Sequence, residues 1–164
     1  MKYLYPIMIA TTLLTNQILA QQAGSQRTEE KQVIATARGF FDSINIKNQA
    51  SGKYNQVVTE DFFIFELGKK YTIDGLINLF KSGDREWIST EWKLSNFRIS
   101  LDTKSAHASF ESHGVFYYKQ NGKTFRSDLK WLESAYMVRA GNQWKIKFFQ
   151  SDRASEKTVE IDQP

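Results

Sequence analysis

The stretch AHASFESHGVFYY, residues 106–118, holds both histidines of the chain, with Ser109 and Glu111 between them at alternate positions. Imidazole, hydroxyl and carboxylate in one row are the parts of a proton relay or of a metal site. Alternation along an extended segment puts all four side chains on one side of it. His107 and His113 then sit roughly 20 Å apart along the strand, too far to share an ion. No metal site is expected, and the row reads as the wetted side of a strand.

Two glutamates carry more chemical promise. Glu133 falls in KWLESAYMV, where its neighbours at strand spacing are Trp131 and Ala135. A carboxyl group among apolar side chains loses hydration, so it needs either a partner or a proton. That makes it a candidate acid–base group, or a structural group hydrogen-bonded to Gln150, its expected cross-strand neighbour. Glu66 closes FFIFE just before Gly68. There it reaches a cavity mouth, or it is an ordinary exposed strand-end carboxylate.

The elements that would hold these groups follow from periodicity. Val33, Ile34, Ala37, Phe40, Phe41 and Ile44 recur at helical spacing within Thr28–Asn48, with Glu29 and Glu30 in the first turn. A short helix is expected at Tyr54–Val58, a first strand at FFIFELG, and a second short helix opened by Thr72 and Asp74. Beyond Trp87 the chain reads as four strands. Asn121-Gly122 and Gly141-Asn142 mark two tight hairpins.

Two-residue turns fix the register. The first pairs Gln120 with Lys123, and onward to Phe110 with Glu133 and Ala106 with Met137. The second pairs Met137 with Ile146, Ala135 with Phe148 and Glu133 with Gln150. Opposed residues share a face, which puts Phe110, Trp131, Met137 and Phe148 on an apolar inner face. Glu133 and Gln150 interrupt that face as its polar groups. The outer face takes the histidine row and an apolar set, Tyr117, Tyr136, Val138 and Phe149, suited to pairing with a second copy.

Composition bounds the rest. The 164 residues suit one domain, and 14 % aromatic content suffices for a core and a lined cavity. There is no cysteine, which excludes thiol nucleophiles, Cys-ligated zinc and disulfides. The net charge of +4 is spread without a run or stripe, so neither nucleic acid nor a membrane surface is an expected partner. Before Arg27 the only charge is Lys2, followed by a moderately apolar stretch and a small residue at Ala20. This reads as an export signal over 1–20, cut near Ala20. Residues 21–27 are then a flexible N-terminus, 28–152 the folded domain and 153–164 a tail.

A long helix with Phe40-Phe41 near its middle, two shorter helices and the terminal hairpin ESAYMVRAGNQWKIKFFQSD together resemble the nuclear-transport-factor-2-like superfamily. The closest likeness is to its SnoaL-like and ketosteroid-isomerase-like branches, over roughly residues 28–152, with Ser151 seven residues after Trp144. The resemblance implies an α+β cone: a curved antiparallel sheet wrapped around the long helix, enclosing a pocket. Members include isomerases, cyclases, dehydratases, hydrolases and non-enzymatic binding modules. In the isomerase-like members a carboxylate base ends the first strand, a place that Glu66 matches. A second acid lies on the strand before the last turn, near Glu133 or Ser134. Where relatives use a helix tyrosine this chain has Phe40 or Phe41, and where they often have histidine it has Gln150.

With those two polar positions replaced, the leading reading is an exported, non-catalytic domain that binds a hydrophobic small molecule without a cofactor. Phe110, Trp131, Met137 and Phe148 would be its walls, and Glu133 and Gln150 would orient the ligand. The alternatives are an enzyme moving a proton with Glu66 or Glu133, and an interaction module using the outer face.

Overall fold

The structure, a computed structural model, describes residues 7–81 and 83–162, with side chains from Ala20 onward. The first helix, α1 (Ile7–Ile44), buries Val33, Ala37, Phe40, Phe41 and Ile44. These fall at i, i+4, i+7, i+8 and i+11, one stripe of a 3.6-residue helix. The stripe packs against the sheet. The helix runs unbroken through 21–27, so the flexible N-terminus expected there is helical instead. The leader assigned to 1–20 falls partly outside the described residues. Among the described residues no helix is long and apolar enough to cross a membrane.

A short 3₁₀ turn and α2 (Tyr54–Val57) lead into β1 (Val58–Glu66). Gly39 lets α2 approach closely, since a Cβ there would lie 3.2 Å from Val57 Cγ1. A tight turn with Leu67 and Gly68 both at positive φ (52° and 71°) joins β1 to the short β2 (Lys69–Tyr71). α3 (Ile73–Lys81) then buries Leu76 and Ile77. Four long strands follow: β3 (Glu86–Leu101), β4 (Ser105–Gln120), β5 (Lys123–Ala140) and β6 (Gln143–Ile161). The sheet order is β2-β1-β6-β5-β4-β3; every pairing is antiparallel except β1 with β6. The sheet curves around α1 and the short helices without closing, as an α+β cone.

The β4–β5 hairpin has the expected register throughout, from Gln120–Lys123 to Ser105–Val138. Asn121 and Gly122 take φ of 51° and 75°, the two left-handed residues of a type I′ turn. The β5–β6 hairpin begins as expected, with Met137 opposite Ile146, and then departs. Lys147 is an extra residue, so Tyr136 pairs with Phe148, Ala135 with Phe149 and Glu133 with Ser151. A second bulge at Ala154 sets Trp131 against Arg153 and Lys130 against Ser155. Each bulge exchanges the two faces of the strand beyond it and sharpens its twist. The stretch expected to be a tail continues β6 as far as Ile161.

Glu29 fixes α1 to the sheet. It accepts hydrogen bonds from Arg139 and, at 2.9 Å, from Trp144 Nε1, while the Arg139 guanidinium lies 4.8 Å from the Trp144 ring.

Candidate functional site

The cone encloses a cavity of about 550 Å³ between α1, α3 and the inner face of the sheet. Phe40 and Phe41 of α1 line it together with Trp92, Phe116, Trp131 and Phe149 of the sheet. Trp92 packs edge to face with Phe41 at 4.9 Å and with Phe116 at 5.3 Å, and lies tilted against Trp131 at 5.5 Å. Gly114 makes room for this wall. A Cβ there would lie 2.7 Å from both Trp92 Cζ3 and Phe116 Cε2, closer than side-chain carbons approach.

Both candidate carboxylates line this one cavity. Glu133 is buried, and its Oε1 accepts a 2.6 Å hydrogen bond from Ser112 Oγ, while its Oε2 has no hydrogen-bond partner. Burial pushes its pKa up to about 8; the Ser112 and Ser151 hydroxyls work against this, and the charge of Glu66 adds to it. Glu66 is half-buried where β1 meets the Leu67-Gly68 turn. Burial raises its pKa as well, opposed by the Ser151 hydroxyl, the Arg153 charge and the Trp131 indole N–H. Ser151 thus acts on both carboxyl groups. At neutral pH Glu133 holds its proton, and the charge on Glu66 helps to keep it there.

Of the expected walls, Trp131 lines the cavity. Phe110 and Met137 are buried in the core beyond it, Phe110 stacking on Phe97 at 4.7 Å. Phe148 and Gln150 are corrected outright. The Lys147 bulge turns Phe148 to the outer face, where it packs on Phe63, and leaves Gln150 exposed beside Ser134. Their neighbours take the inner places. Phe149, expected on the outer pairing face, is 1 % exposed and stacks on Phe40, and Ser151 stands where Gln150 was expected. An apolar Phe-Phe doublet fits either parity of a strand, so alternation carried no signal for the bulge.

The histidine row is on the outer face as expected. His107 bonds Ser134 Oγ at 2.8 Å and His113 meets Asp128 at 3.2 Å, far from the cavity lining. No three side chains among the described residues form a metal-ligating group. Sequence reasoning missed the cavity rim, formed by the α3–β3 loop with Asp84 and Arg85 and by the Arg153–Glu156 ion pair on β6.

Neither a family model nor a curated protein matches the sequence. Solved structures do match the fold. A hexachlorocyclohexane dehydrochlorinase (LinA, type 2) aligns with a TM-score of 0.68 at 9 % identity, over 85 % of this chain and 94 % of that one. A nuclear-transport-factor-2-like protein of unknown function from Prochlorococcus aligns at 0.58 and 19 % identity, over 77 % and 93 %. The association domain of C. elegans CaMKII aligns at 0.59 and 14 % identity, over 78 % and 97 %. A cone of one long helix, two short ones and this six-stranded sheet, shared with such neighbours over most of its length, gives the chain the nuclear-transport-factor-2-like fold.

Proposed function

We propose that the chain is an enzyme that moves a proton on a hydrophobic small molecule, with Glu66 as base and Glu133 as acid. One observation carries this: two carboxyl groups share one aromatic cavity, Glu133 buried and Glu66 half-buried at the end of β1. The difference in burial assigns the roles, because the more deeply buried group keeps its proton for a developing oxyanion while the other accepts a proton from carbon. The aromatic walls supply affinity and exclude water. That a structural neighbour is a dehydrochlorinase supports the reading at the level of fold alone. The non-catalytic reading drawn from the sequence shares the same cavity and lacks only the proton step.

5-Nitrobenzisoxazole separates the two. It is a flat apolar probe whose C3 proton, once removed, opens the ring by N–O cleavage to a cyanophenolate. A saturable rate above that of acetate buffer is expected, rising with pH as Glu66 ionises and falling again near pH 8 as Glu133 loses its proton. Glu66→Gln should remove about 100-fold or more of the acceleration, and Glu133→Gln should remove the alkaline fall. Binding without acceleration would return the protein to the non-catalytic reading.

A second reading, self-association through the outer face, is supported by the ring cluster of Phe63, Phe65 and Phe148, with centroids 4.9–5.7 Å apart. Phe65 is 43 % and Tyr136 40 % exposed, and these rings take the place of the buried Phe149 in the expected patch. Sedimentation equilibrium should show a dimer that Phe65→Glu converts to monomer. A wild-type monomer at high concentration would rule it out.

A further inference from the structure

We infer that Arg85 is an anion anchor at the cavity mouth, and that the ligand is an elongated apolar molecule with a carboxylate or similar oxyanion at the end remote from the reacting group. The inference rests on the small-molecule reading above.

Arg85 immediately precedes β3 and lines the cavity rim. Its guanidinium lies 4.7 Å from the Tyr118 ring centre and 5.8 Å from that of Trp87. Both rings are themselves held. Trp87 Nε1 donates to Phe80 O at 2.6 Å, and Tyr118 stacks on Phe125 at 5.5 Å. Stacking engages the faces of a guanidinium and leaves its in-plane N–H donors at the edge, the geometry that grips a carboxylate with two bonds. No carboxylate among the described residues forms an ion pair with Arg85. Its neighbour Asp84 shares the rim and is exposed. The other cation of the lining, Arg153, is paired with Glu156, and its charge also acts on Glu66. Among the described residues Arg85 is therefore the cation of this rim that no carboxylate engages.

Its place sets the length of the ligand. The Tyr118 hydroxyl lies 3.5 Å from Ser127 Oγ. Ser127 and Glu133 both face the cavity on β5, six residues apart. That is roughly 20 Å of strand. With side chains reaching in from each end, a ligand touching both is roughly 10–15 Å long. The wall between, Leu129, Phe116 and Trp131, is apolar. The acid–base pair and the guanidinium thus stand at opposite ends of a hydrophobic slot. Charge at one end orients the body so that its reacting carbon meets the other.

The probe pair is 4-(pyren-1-yl)butyrate and its methyl ester, equal in body and differing in charge, with affinity read by fluorescence titration. The wild-type protein should bind the acid about tenfold or more tightly than the ester, the range for a charge-assisted hydrogen bond. Arg85→Gln should erase that ratio by weakening the acid and leaving the ester unchanged. Arg85→Lys should restore only part of it, since an ammonium lacks the fork. Equal affinities in the wild type, or equal losses for both probes in Arg85→Gln, would overturn the inference while leaving the small-molecule reading intact. If neither probe bound at all, both would be overturned.

Discussion

In urea titrations the unfolding free energy of the wild-type chain should fall by about 1.4 kcal/mol per pH unit as pH rises from about 5 to about 8. Glu133 causes this. Its carboxyl pKa is 4.5 in the ordinary state and about 8 in the fold. Between those values the unfolded chain has released the proton and the folded chain still holds it, so the folded state binds more protons. Stability rises with pH only where the unfolded state binds more; here the sign is reversed. The contribution is complete below the unfolded pKa and lost as pH climbs through the folded one, on the order of 5 kcal/mol in all. Glu66, also raised by burial, acts in the same sense. Glu133→Gln removes the main titration, because the amide keeps an oxygen for Ser112 Oγ and carries no charge. The variant should therefore be nearly level from pH 5 to pH 8, and more stable than the wild type at the upper end. Parallel slopes for the two proteins would show that Glu133 is ionised in the fold, and its assignment as the acid would fail with them.

The same carboxyl group shows what made the site readable. Its burial followed from the Asn121-Gly122 turn alone. That hairpin carries apolar side chains on one face over nearly its whole length, and a one-residue slip would expose them all. Nothing in β4 or β5 competes with that register, so Phe110, Trp131 and Glu133 took the pairings expected of them, although Phe110 lies in the core beyond the cavity. Glu66 was placed by Gly68, whose positive φ closes the β1–β2 turn. The partners of Glu133 were less legible. Nothing in the alternation of β4 marked Ser112 as the donor to a carboxylate in the next strand.

β6 was the least legible element. Its two bulges leave no mark in the hydrophobic pattern, because Phe148-Phe149 satisfies both parities. Beyond Ser151 the strand is polar on both sides, and pairing rather than burial holds it: Ser127 bonds Thr158 at 2.6 Å, and Lys123 pairs with Glu160 at 2.8 Å. A strand stabilised by polar partners cannot be told from a tail by alternation. The rim around Arg85 was hidden for a different reason. Its rings come from β3 and β4, some thirty residues apart in the chain, and only the folded sheet brings Trp87 and Tyr118 together.

The bulge at Lys147 has a direct test in the neighbouring phenylalanines. Phe149 is 1 % exposed, with its ring 5.2 Å from Phe40 and 6.1 Å from both Phe41 and Phe110. Truncating it removes a ring from the contact between α1 and the sheet and leaves a void beside the cavity, so Phe149→Ala should cost about 3–5 kcal/mol. Phe148 meets Phe63 and Phe65 on the outer face, where water can fill the space that an alanine leaves. Phe148→Ala should cost about 1 kcal/mol or less. The regular register expected from the Gly141-Asn142 turn demands the opposite order, with Phe148 facing α1 and Phe149 outward. Denaturant midpoints of the two variants therefore decide between the registers. If Phe148→Ala were the more damaging, the bulge would be absent, and Gln150 rather than Ser151 would stand between the two carboxylates. The polar link between the two carboxyl groups depends on that extra residue: a serine hydroxyl is small enough to act on both glutamates, and without the bulge it would face away from them.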